Sequence, residues 1–196
     1  MEYFVLGEKL PHTHSPAIHA MLGNPKYGVQ ELARENLPAL FAAREFCGIN
    51  VTIPYKQDVM PLCDALDGAA IDIGAVNTVV NCNGKLFGCN TDFDGIIFMC
   101  NRAGIVFQNK KVLILGTGGT AATATAVAEQ LGAAWIRQVS RTARPGVLTY
   151  EDVTAAHRDA QVLINTTPVG MFSRKSGMAA DGLFAQTFFS HGCRLL

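Results

Sequence analysis

The sequence lacks an excess of charge of either sign, since 16 lysines and arginines balance 16 aspartates and glutamates. This balance argues against a nucleic-acid-binding surface and against a polybasic membrane anchor. The sequence also lacks an apolar run of about eighteen residues, the length that a transmembrane helix requires. Its first residues, MEYFVLGEKLPHTHSP, lack the charged start and longer apolar core of a signal peptide. We therefore expect a cytoplasmic protein.

Closely spaced cysteine pairs are absent as well. The chain has six cysteines, at positions 47, 63, 82, 89, 100 and 193, with no C-x-x-C pair and no zinc-ribbon spacing. We expect free thiols in a reducing compartment. Repeats and low-complexity tracts are also lacking, whereas 49% of the 196 residues are hydrophobic. This composition can supply one large core or two small ones.

The first half of the chain alternates short apolar runs with helical patterns. Ser15 is a suitable N-cap, and Pro16 after it suits a first helical position. The predicted strands are residues 3–7, 48–53, 75–81 and 85–90, and the predicted helices are residues 15–23, 37–47, 56–66 and 92–104. The turn-forming CNG sequence joins the last two strands.

The second half has a different pattern. KKVLILGTGGTAATATAVAEQLGA (110–133) predicts an apolar strand, a glycine turn and an alanine-rich helix. Two more strands are predicted at 134–142 and 161–168, with a helix between them that begins at a capping box of Thr149 and Asp152. Alternating strands and helices with continuous apolar strands indicate a parallel, doubly wound sheet.

The change of pattern near residues 105–111 indicates a domain boundary. We predict an α/β protein with an N-terminal substrate-binding domain (residues 1–104), whose sheet is mostly parallel, and a Rossmann-like dinucleotide-binding domain (residues 105–196). The active site is expected in the cleft between them.

The glycine turn VLILGTGGTAA predicts a dinucleotide site. Gly116, Gly118 and Gly119 lie between a strand and a helix, where a tight turn and a helix N-terminus can receive a diphosphate. The next strand ends in VSRTAR, which offers Arg141 and Arg144 but no carboxylate for a ribose 2′-hydroxyl. Arginine forks complement a 2′-phosphate, so NADP is favoured over NAD. Two solvated arginines on a loop are the alternative interpretation.

Polar residues also lie at the ends of the predicted strands of the first half. They are Asn50, Thr52, Lys56, Asn77, Asn90 and Asp92. Each alone has an ordinary structural explanation; Asp92, for example, could simply cap the helix that follows. Together they form a cluster at one edge of an α/β sheet, where ligands bind. The set suits a polyhydroxylated small molecule, with Lys56 and Asp92 available for proton transfer.

In these and further stretches the chain resembles the shikimate dehydrogenase family. The matching stretches occur in family order: HTHSPAIH (12–19), NVTIPYK (50–56), GAVNTV (74–79), GCNTD (88–92), GTGGTAA (116–122), SRT (140–142) and INTTPVGM (164–171). The resemblance implies NADPH-dependent reduction of 3-dehydroshikimate to shikimate, a step of aromatic amino-acid biosynthesis. It implies that Lys56 is the catalytic lysine and Asp92 its carboxylate partner. His12 and His14, which alone could suggest a metal, become loop residues beside the substrate, so no metal is expected.

The resemblance also implies binding roles. The implied substrate contacts are Thr13, Ser15, Thr52, Asn77 and Asp92. The implied cofactor contacts are Gly116, Thr117, Gly118, Gly119 and Thr120 at the diphosphate, Ser140, Arg141, Thr142 and Arg144 at the 2′-phosphate, and Thr167, Pro168, Val169, Gly170 and Met171 near the nicotinamide ribose.

Three departures from the family pattern leave alternatives open. Thr13 stands where serine is usual, so quinate and a different cofactor preference stay possible. Phe93 and Asp94 follow the aspartate where small residues are common. Residues 172–196 do not match the strand, turn and helices that close the family fold, so we expect an incomplete second domain. A fragment that binds without turnover is therefore an alternative to an active enzyme, and both a monomer and a homodimer stay open.

Overall fold

The fold is described from a computed structural model that covers residues 1–11, 13–167, 169 and 194–195. Its residues form two compact units, Met1–Asp92 and Phe93–Leu196, and each unit has its own sheet. The division falls before the boundary expected at residue 104. The reason is that Cys100 is fully buried among Val112 and Ile114, in the core of the second unit.

The first unit contains a six-stranded sheet in the order β2-β1-β3-β5-β6-β4. Its strands are β1 (Tyr3–Gly7), β2 (Gly28–Glu31), β3 (Gly48–Val51), β4 (Ala65–Leu66), β5 (Thr78–Cys82) and β6 (Lys85–Cys89), and its helices are α1 (Ser15–Met21), α2 (Leu37–Ala43) and α3 (Gly68–Ile73). Strand β1 pairs in parallel with β2 and β3, and β4 pairs in parallel with β6. Strand β5 is antiparallel to both of its neighbours. The sheet is therefore mixed, with mostly parallel pairs.

The second unit contains an all-parallel sheet in the order β11-β10-β7-β8-β9. Its elements are α4 (Asp92–Arg102, whose first residue ends the first unit), β7 (Lys111–Leu115), α5 (Gly119–Gln130), β8 (Trp135–Ser140), β9 (Leu148–Thr149), α6 (Tyr150–Ala156), β10 (Val162–Asn165) and β11 (Arg194–Leu195). The capping box of Thr149 and Asp152 is present at the start of α6, as predicted.

The central strand β7 explains why this half is doubly wound. Val112 and Ile114 lie in one buried cluster with the alanines of α5, whereas Leu113 and Leu115 lie in another with Val153 of α6. Side chains alternate across a strand, so a strand covered on both faces must be apolar throughout. The continuous apolar run therefore follows from burial on both faces.

The single tryptophan of the sequence, Trp135, begins β8. The ammonium nitrogen of Lys111 lies 4.8 Å from the centre of a tryptophan ring, and the guanidinium carbon of Arg137 lies 5.2 Å from it. The His157 ring centre is 4.9 Å away. Lys111 also pairs with Asp159 at 2.6 Å.

Two local predictions were wrong. Residues 56–66 do not form a helix; they form turns, a short 3₁₀ helix (Met60–Leu62) and strand β4. Pro61 has no N–H for a helical bond, and the backbone N–H of Asp64 donates instead to Leu86 O at 2.9 Å. Ser15 is not the N-cap of α1 but its first residue, and His14 occupies the capping position.

Among the described residues, no helix is long and apolar enough to cross a membrane. Within the same part of the chain, no group of three or more His, Cys, Asp or Glu side chains is placed to hold a metal ion.

Candidate active site

Lys56 lies in the turn that follows β3, and its backbone is held on both sides. The N–H of Tyr55 donates to Thr52 O at 2.9 Å, and the N–H of Val76 donates to Lys56 O at 2.7 Å. The fully buried Tyr55 donates its hydroxyl to Leu32 O at 2.6 Å. These bonds fix the direction in which the lysine side chain leaves the turn.

The ammonium of Lys56 forms a hydrogen-bonded ion pair with Asp92 Oδ2. The Lys56 side chain is only 13% exposed, whereas that of Asp92 is 35% exposed. Lysines are rarely covered to this extent unless they are paired. Asp92 is the first residue of α4, and a carboxylate is favoured at the positive end of a helix dipole. The structure thus brings the two predicted catalytic residues into direct contact.

Asn77 lies beside this pair in a network of amides and hydroxyls. Its Oδ1 accepts from the Thr91 backbone N–H at 2.8 Å, and its Nδ2 donates to Thr91 Oγ1 at 3.0 Å. Because Thr91 precedes Asp92, the amide of Asn77 is tied to the chain that carries the carboxylate. Asn77 is only 7% exposed, so groups of the protein rather than water form the hydrogen bonds of its side-chain amide.

Of the other predicted substrate contacts, Thr52 lies in the turn that carries Lys56, whereas Thr13 and Ser15 lie at the start of α1. Thr13 Oγ1 donates to Ser15 Oγ at 3.1 Å and accepts from the Ser15 N–H at 3.2 Å, at the start of α1. The backbone N–H of Thr52 donates to Leu6 O at 2.9 Å. Within the described residues, no hydrogen bond or ion pair joins Thr13 or Ser15 to Lys56. His12 lies outside the described residues.

The glycine turn after β7 fits a diphosphate. Gly116 has a φ of +116°, and a Cβ there would lie 2.5 Å from Thr166 Oγ1, so a side chain is excluded. Gly118 is the N-cap of α5 and Gly119 its first residue, with Thr117 before and Thr120 after them. The first amides of a helix lack partners within the helix, so the amides at the start of α5 suit an anion.

A basic segment follows β8 and reaches this turn. Arg144 Nη1 donates to Thr117 Oγ1 at 3.4 Å, and the Thr142 N–H donates to Ser140 Oγ at 3.2 Å. Arg141 is exposed, and its charge partly offsets the burial that raises the pKa of Tyr150. The guanidinium groups of Arg141 and Arg144 and the hydroxyls of Ser140 and Thr142 are hydrogen-bond donors of the kind that a 2′-phosphate requires.

The segment after β10 contains the residues expected near the nicotinamide ribose. Thr167 donates from its N–H and its hydroxyl to Asn165 Oδ1, at 3.0 and 2.7 Å. Asn165 Nδ2 donates to Val169 O at 3.1 Å. Pro168, Gly170 and Met171 lie outside the described residues.

Three residues of the polar network were not identified from the sequence. Tyr27 donates its hydroxyl to Asn50 Oδ1 at 2.6 Å, Asn50 Nδ2 donates to Thr78 Oγ1 at 3.2 Å, and Thr78 donates to Asn77 Oδ1 at 3.2 Å. Thr91 completes the network. Thr78 and Thr91 each adjoin a residue that the motifs had singled out, whereas Tyr27 carries no motif signal.

Comparisons with known proteins find one family. A family model described as the shikimate dehydrogenase substrate binding domain matches residues 5–79. A shikimate dehydrogenase (NADP(+)) from Clostridium beijerinckii is 36% identical over 192 residues, which cover 89% of this chain and 70% of that protein.

Two solved structures are similar over most of this chain. Shikimate dehydrogenase 1 from Peptoclostridium difficile has a TM-score of 0.81 at 33% identity, covering 91% of this chain and 71% of that one. Shikimate 5-dehydrogenase from Thermus thermophilus, solved with NADP(H) and shikimate, has a TM-score of 0.74 at 30% identity, covering 86% and 69%.

Proposed function

We propose, since the chain belongs to the shikimate dehydrogenase family, that it reduces 3-dehydroshikimate to shikimate with Lys56 and Asp92 as its acid–base pair. NADP is the cofactor named for the relative and for the Thermus complex. The observation that carries the proposal is the ion pair of a largely covered Lys56 with Asp92. A lysine with no role beyond the protein surface is normally exposed to solvent, unlike Lys56.

The substrate carries hydroxyl groups and a carboxylate, and the first unit offers partners for both. We assign Thr52, Asn77 and Asp92 to the substrate hydroxyls. Thr13 and Ser15, whose oxygens lie 3.1 Å apart, are assigned to the carboxylate. Hydroxyl groups both donate and accept, so this set can form hydrogen bonds with the hydroxyls of a polyhydroxylated ring.

Proton transfer falls to Lys56. NADPH, when bound, supplies the hydride that reduces the carbonyl carbon. As the C–H bond forms, negative charge develops on the carbonyl oxygen, and the Lys56 ammonium donates a proton to that oxygen. Asp92 holds the ammonium in place and stabilises its charge before the transfer. In the reverse reaction neutral Lys56 removes the hydroxyl proton.

The second unit would hold the dinucleotide. The diphosphate is assigned to Gly116, Thr117, Gly118, Gly119 and Thr120. The turn has no room for a Cβ at Gly116, and the space beside the backbone of Gly118 is free of neighbouring protein atoms, so a ligand can approach it. Ser140, Arg141, Thr142 and Arg144 are assigned to the 2′-phosphate, and Thr167 and Val169 to the nicotinamide ribose.

The test measures NADPH oxidation by this 196-residue chain with 3-dehydroshikimate. We expect turnover in the unchanged chain, and Lys56→Ala and Asp92→Asn should lower kcat by about 10²- to 10⁴-fold, the usual contribution of a general acid–base group. NADPH binding, followed by calorimetry, should change little in both variants.

Lys111 and Asp159 provide a matched control, because they form another lysine–aspartate ion pair, at 2.6 Å. Asp159→Asn should leave kcat unchanged. Equal losses from Asp92→Asn and Asp159→Asn would contradict the acid–base assignment. Nucleotide binding without any turnover would favour a non-catalytic binding fragment.

Quinate is the second candidate substrate, because Thr13 stands where serine is usual in the family. Threonine keeps the hydroxyl of the usual serine and adds a methyl group next to Ser15. Comparing kcat/KM for shikimate and quinate, each with NADP and NAD, separates these assignments. A higher value for quinate would overturn the proposed substrate.

A further inference from the structure

Tyr27 precedes β2 and connects two parts of the first unit that carry proposed substrate contacts. Its side chain is buried, at 7% exposure, and its hydroxyl donates to Asn50 Oδ1 on β3 at 2.6 Å. Its ring stacks on His19 of α1, with ring centres 3.7 Å apart and planes at 5°. One side chain thus contacts both the strand that leads to Lys56 and the helix that begins at Ser15.

A chain of hydrogen bonds leads from Tyr27 through Asn50 and Thr78 to Asn77. Tyr27 donates to the Asn50 carbonyl oxygen, which leaves the Asn50 amide nitrogen to donate to Thr78 Oγ1 at 3.2 Å. Thr78 then donates to Asn77 Oδ1 at 3.2 Å. Asn77 Oδ1 also accepts from the Thr91 backbone N–H at 2.8 Å, and the Asn77 amide nitrogen donates to Thr91 Oγ1 at 3.0 Å. The effect of Tyr27 therefore falls directly on Asn50 and reaches Asn77 through Thr78. Without the Tyr27 hydroxyl, the Asn50 amide loses the donor that fixes its orientation.

We propose that Tyr27 is a positioning residue for substrate binding: its hydroxyl orients the amide of Asn50, which holds Thr78 against Asn77, and its ring holds α1 and therefore Ser15. This inference rests on the proposed function, because it concerns the substrate assigned there. Tyr27 acts through other residues. It therefore affects binding of the substrate more than the chemical step.

The hydroxyl remains a donor under ordinary conditions. Burial raises the pKa of Tyr27 to about 12, so the O–H stays protonated through the neutral range. A phenol that keeps its proton is needed here, because a phenolate could not donate to Asn50 Oδ1.

The test replaces Tyr27 with phenylalanine, which keeps the ring and its stack on His19 but removes the hydroxyl. In the full chain, KM for 3-dehydroshikimate and Kd for shikimate should each rise by about five- to tenfold. The kcat and the NADPH affinity should stay unchanged. His19→Ala removes the stack and keeps the hydroxyl, and it should raise the same two constants.

Two controls separate positioning from general destabilisation. Tyr3→Phe makes the same chemical change in the same unit, at a ring that is 40% exposed and outside the network. Phe41→Leu loosens the core of this unit at a residue that is 3% exposed, so it lowers the melting temperature. Neither control should change KM. An unchanged KM in Tyr27→Phe, or an equal rise in Phe41→Leu, would overturn the proposal.

A separate readout covers failure of the proposed function. If the unchanged chain neither turns over 3-dehydroshikimate nor binds shikimate, the proposed function fails, and the side-chain amide resonances of Asn50 and Asn77 then decide the orienting role. Tyr27→Phe should shift both, whereas Tyr3→Phe should shift neither. Unshifted resonances in Tyr27→Phe would overturn the inference by themselves.

Discussion

At the scale of single residues, hydrogen bonds of the backbone fix the positions of Lys56 and Asp92. Lys56 leaves a turn whose carbonyl accepts from Val76, and Asp92 begins α4 immediately after Thr91, which is bound to Asn77. The backbone therefore holds the Lys56 ammonium and the Asp92 carboxylate in positions where they form their ion pair. Preorganisation of this kind reduces the entropy cost of binding and of proton transfer.

Arg141 and Arg144 are expected to determine the choice of dinucleotide. Replacing both with alanine should weaken NADPH binding by at least about tenfold, since hydrogen bonds to charged groups contribute about 1.5–3 kcal/mol each. NADH lacks the 2′-phosphate, so its affinity should change little. Calorimetric titration with both nucleotides makes the comparison.

Arg137→Ala is the matched control, because this arginine of β8 lies over Trp135 instead. It should leave both affinities unchanged. Equal losses for NADPH and NADH in the double variant would count against a 2′-phosphate site.

The sequence singled out Lys56, Asp92 and Asn77, but it did not single out Thr78, Thr91 or Tyr27. These three were found because each lies in or just after a predicted strand within a recognisable stretch. Tyr27 lies before β2, a short strand that the sequence pattern did not predict, and its partner Asn50 is 23 residues away in the chain. Such a contact exists only after β2 and β3 have both paired with β1.

At the scale of elements, a clamp of polar groups holds the β5–β6 hairpin. Asn83 and Gly84 at its turn both have positive φ, 53° and 81°, as a two-residue hairpin turn requires. Arg44 donates from both terminal nitrogens to Asp64, at 2.7 and 2.9 Å, and Asp64 Oδ2 accepts from the Leu86 N–H at 2.7 Å. The clamp joins α2, β4 and β6 at one end of the first sheet.

Asp64 should make the stability of the first unit depend on acid. Hydrogen bonds from Arg44, and then from the Leu86 backbone, hold the pKa of Asp64 below its usual range. A lowered pKa stabilises the fold above the unfolded-state pKa of about 3.9, and this contribution is lost as the pH falls through the folded-state pKa. Asp64→Asn should therefore lower the free energy of unfolding near neutral pH, and the difference from the unchanged chain should shrink below about pH 4. Urea unfolding at a series of pH values measures this.

Asp72→Asn, an exposed substitution in α3, serves as its control and should show no such pH dependence. A constant difference for Asp64→Asn from neutral to acidic pH would contradict the prediction.

The capping box should contribute to the stability of α6. Thr149 Oγ1 accepts from the Asp152 N–H at 3.2 Å, and Asp152 Oδ2 accepts from the Thr149 N–H at 2.7 Å. Thr149→Ala should lower the free energy of unfolding by about 1 kcal/mol, the usual loss for an N-cap. Thr154→Ala, which removes only a mid-helix bond to Tyr150 O, should cost less. Denaturant unfolding that ranked the two the other way would refute this account.

Most elements with a clear local pattern were predictable, whereas a segment whose backbone groups bond to distant residues was not. The strand–turn–helix of β7 and α5 and the capping box of α6 follow from residues adjacent in sequence. The predicted helix at 56–66 failed because distant Leu86 and Val76 pair with its backbone groups. Helix α3 was missed although Asp67, which accepts from the Ala70 N–H at 2.6 Å, is a readable N-cap.

At the scale of the whole molecule, each compact unit has its own sheet and its own buried clusters. Each ligand alone should therefore protect mainly the unit to which it is assigned. Shikimate should slow amide hydrogen exchange in Met1–Asp92, around residues 50–56 and 77–92, and NADP should slow it around β7 and the start of α5. Exchange measured by mass spectrometry, with each ligand separately, tests this.

NAD at the same concentration is the control for the 2′-phosphate, and it should give weaker protection of residues 140–144. Protection by NADP that was confined to Met1–Asp92 would contradict the assignment of the dinucleotide site.

The position of Trp135 gives the chain an optical asymmetry. Its only tryptophan lies on β8 of the second unit, next to Lys111, Arg137 and His157. Intrinsic tryptophan emission therefore reports on the second unit, while the first unit, which contains Lys56, has no tryptophan signal of its own. A tryptophan placed at the exposed Phe87 of β6 would give the first half its own emission, so that the unfolding of the two halves could be followed separately.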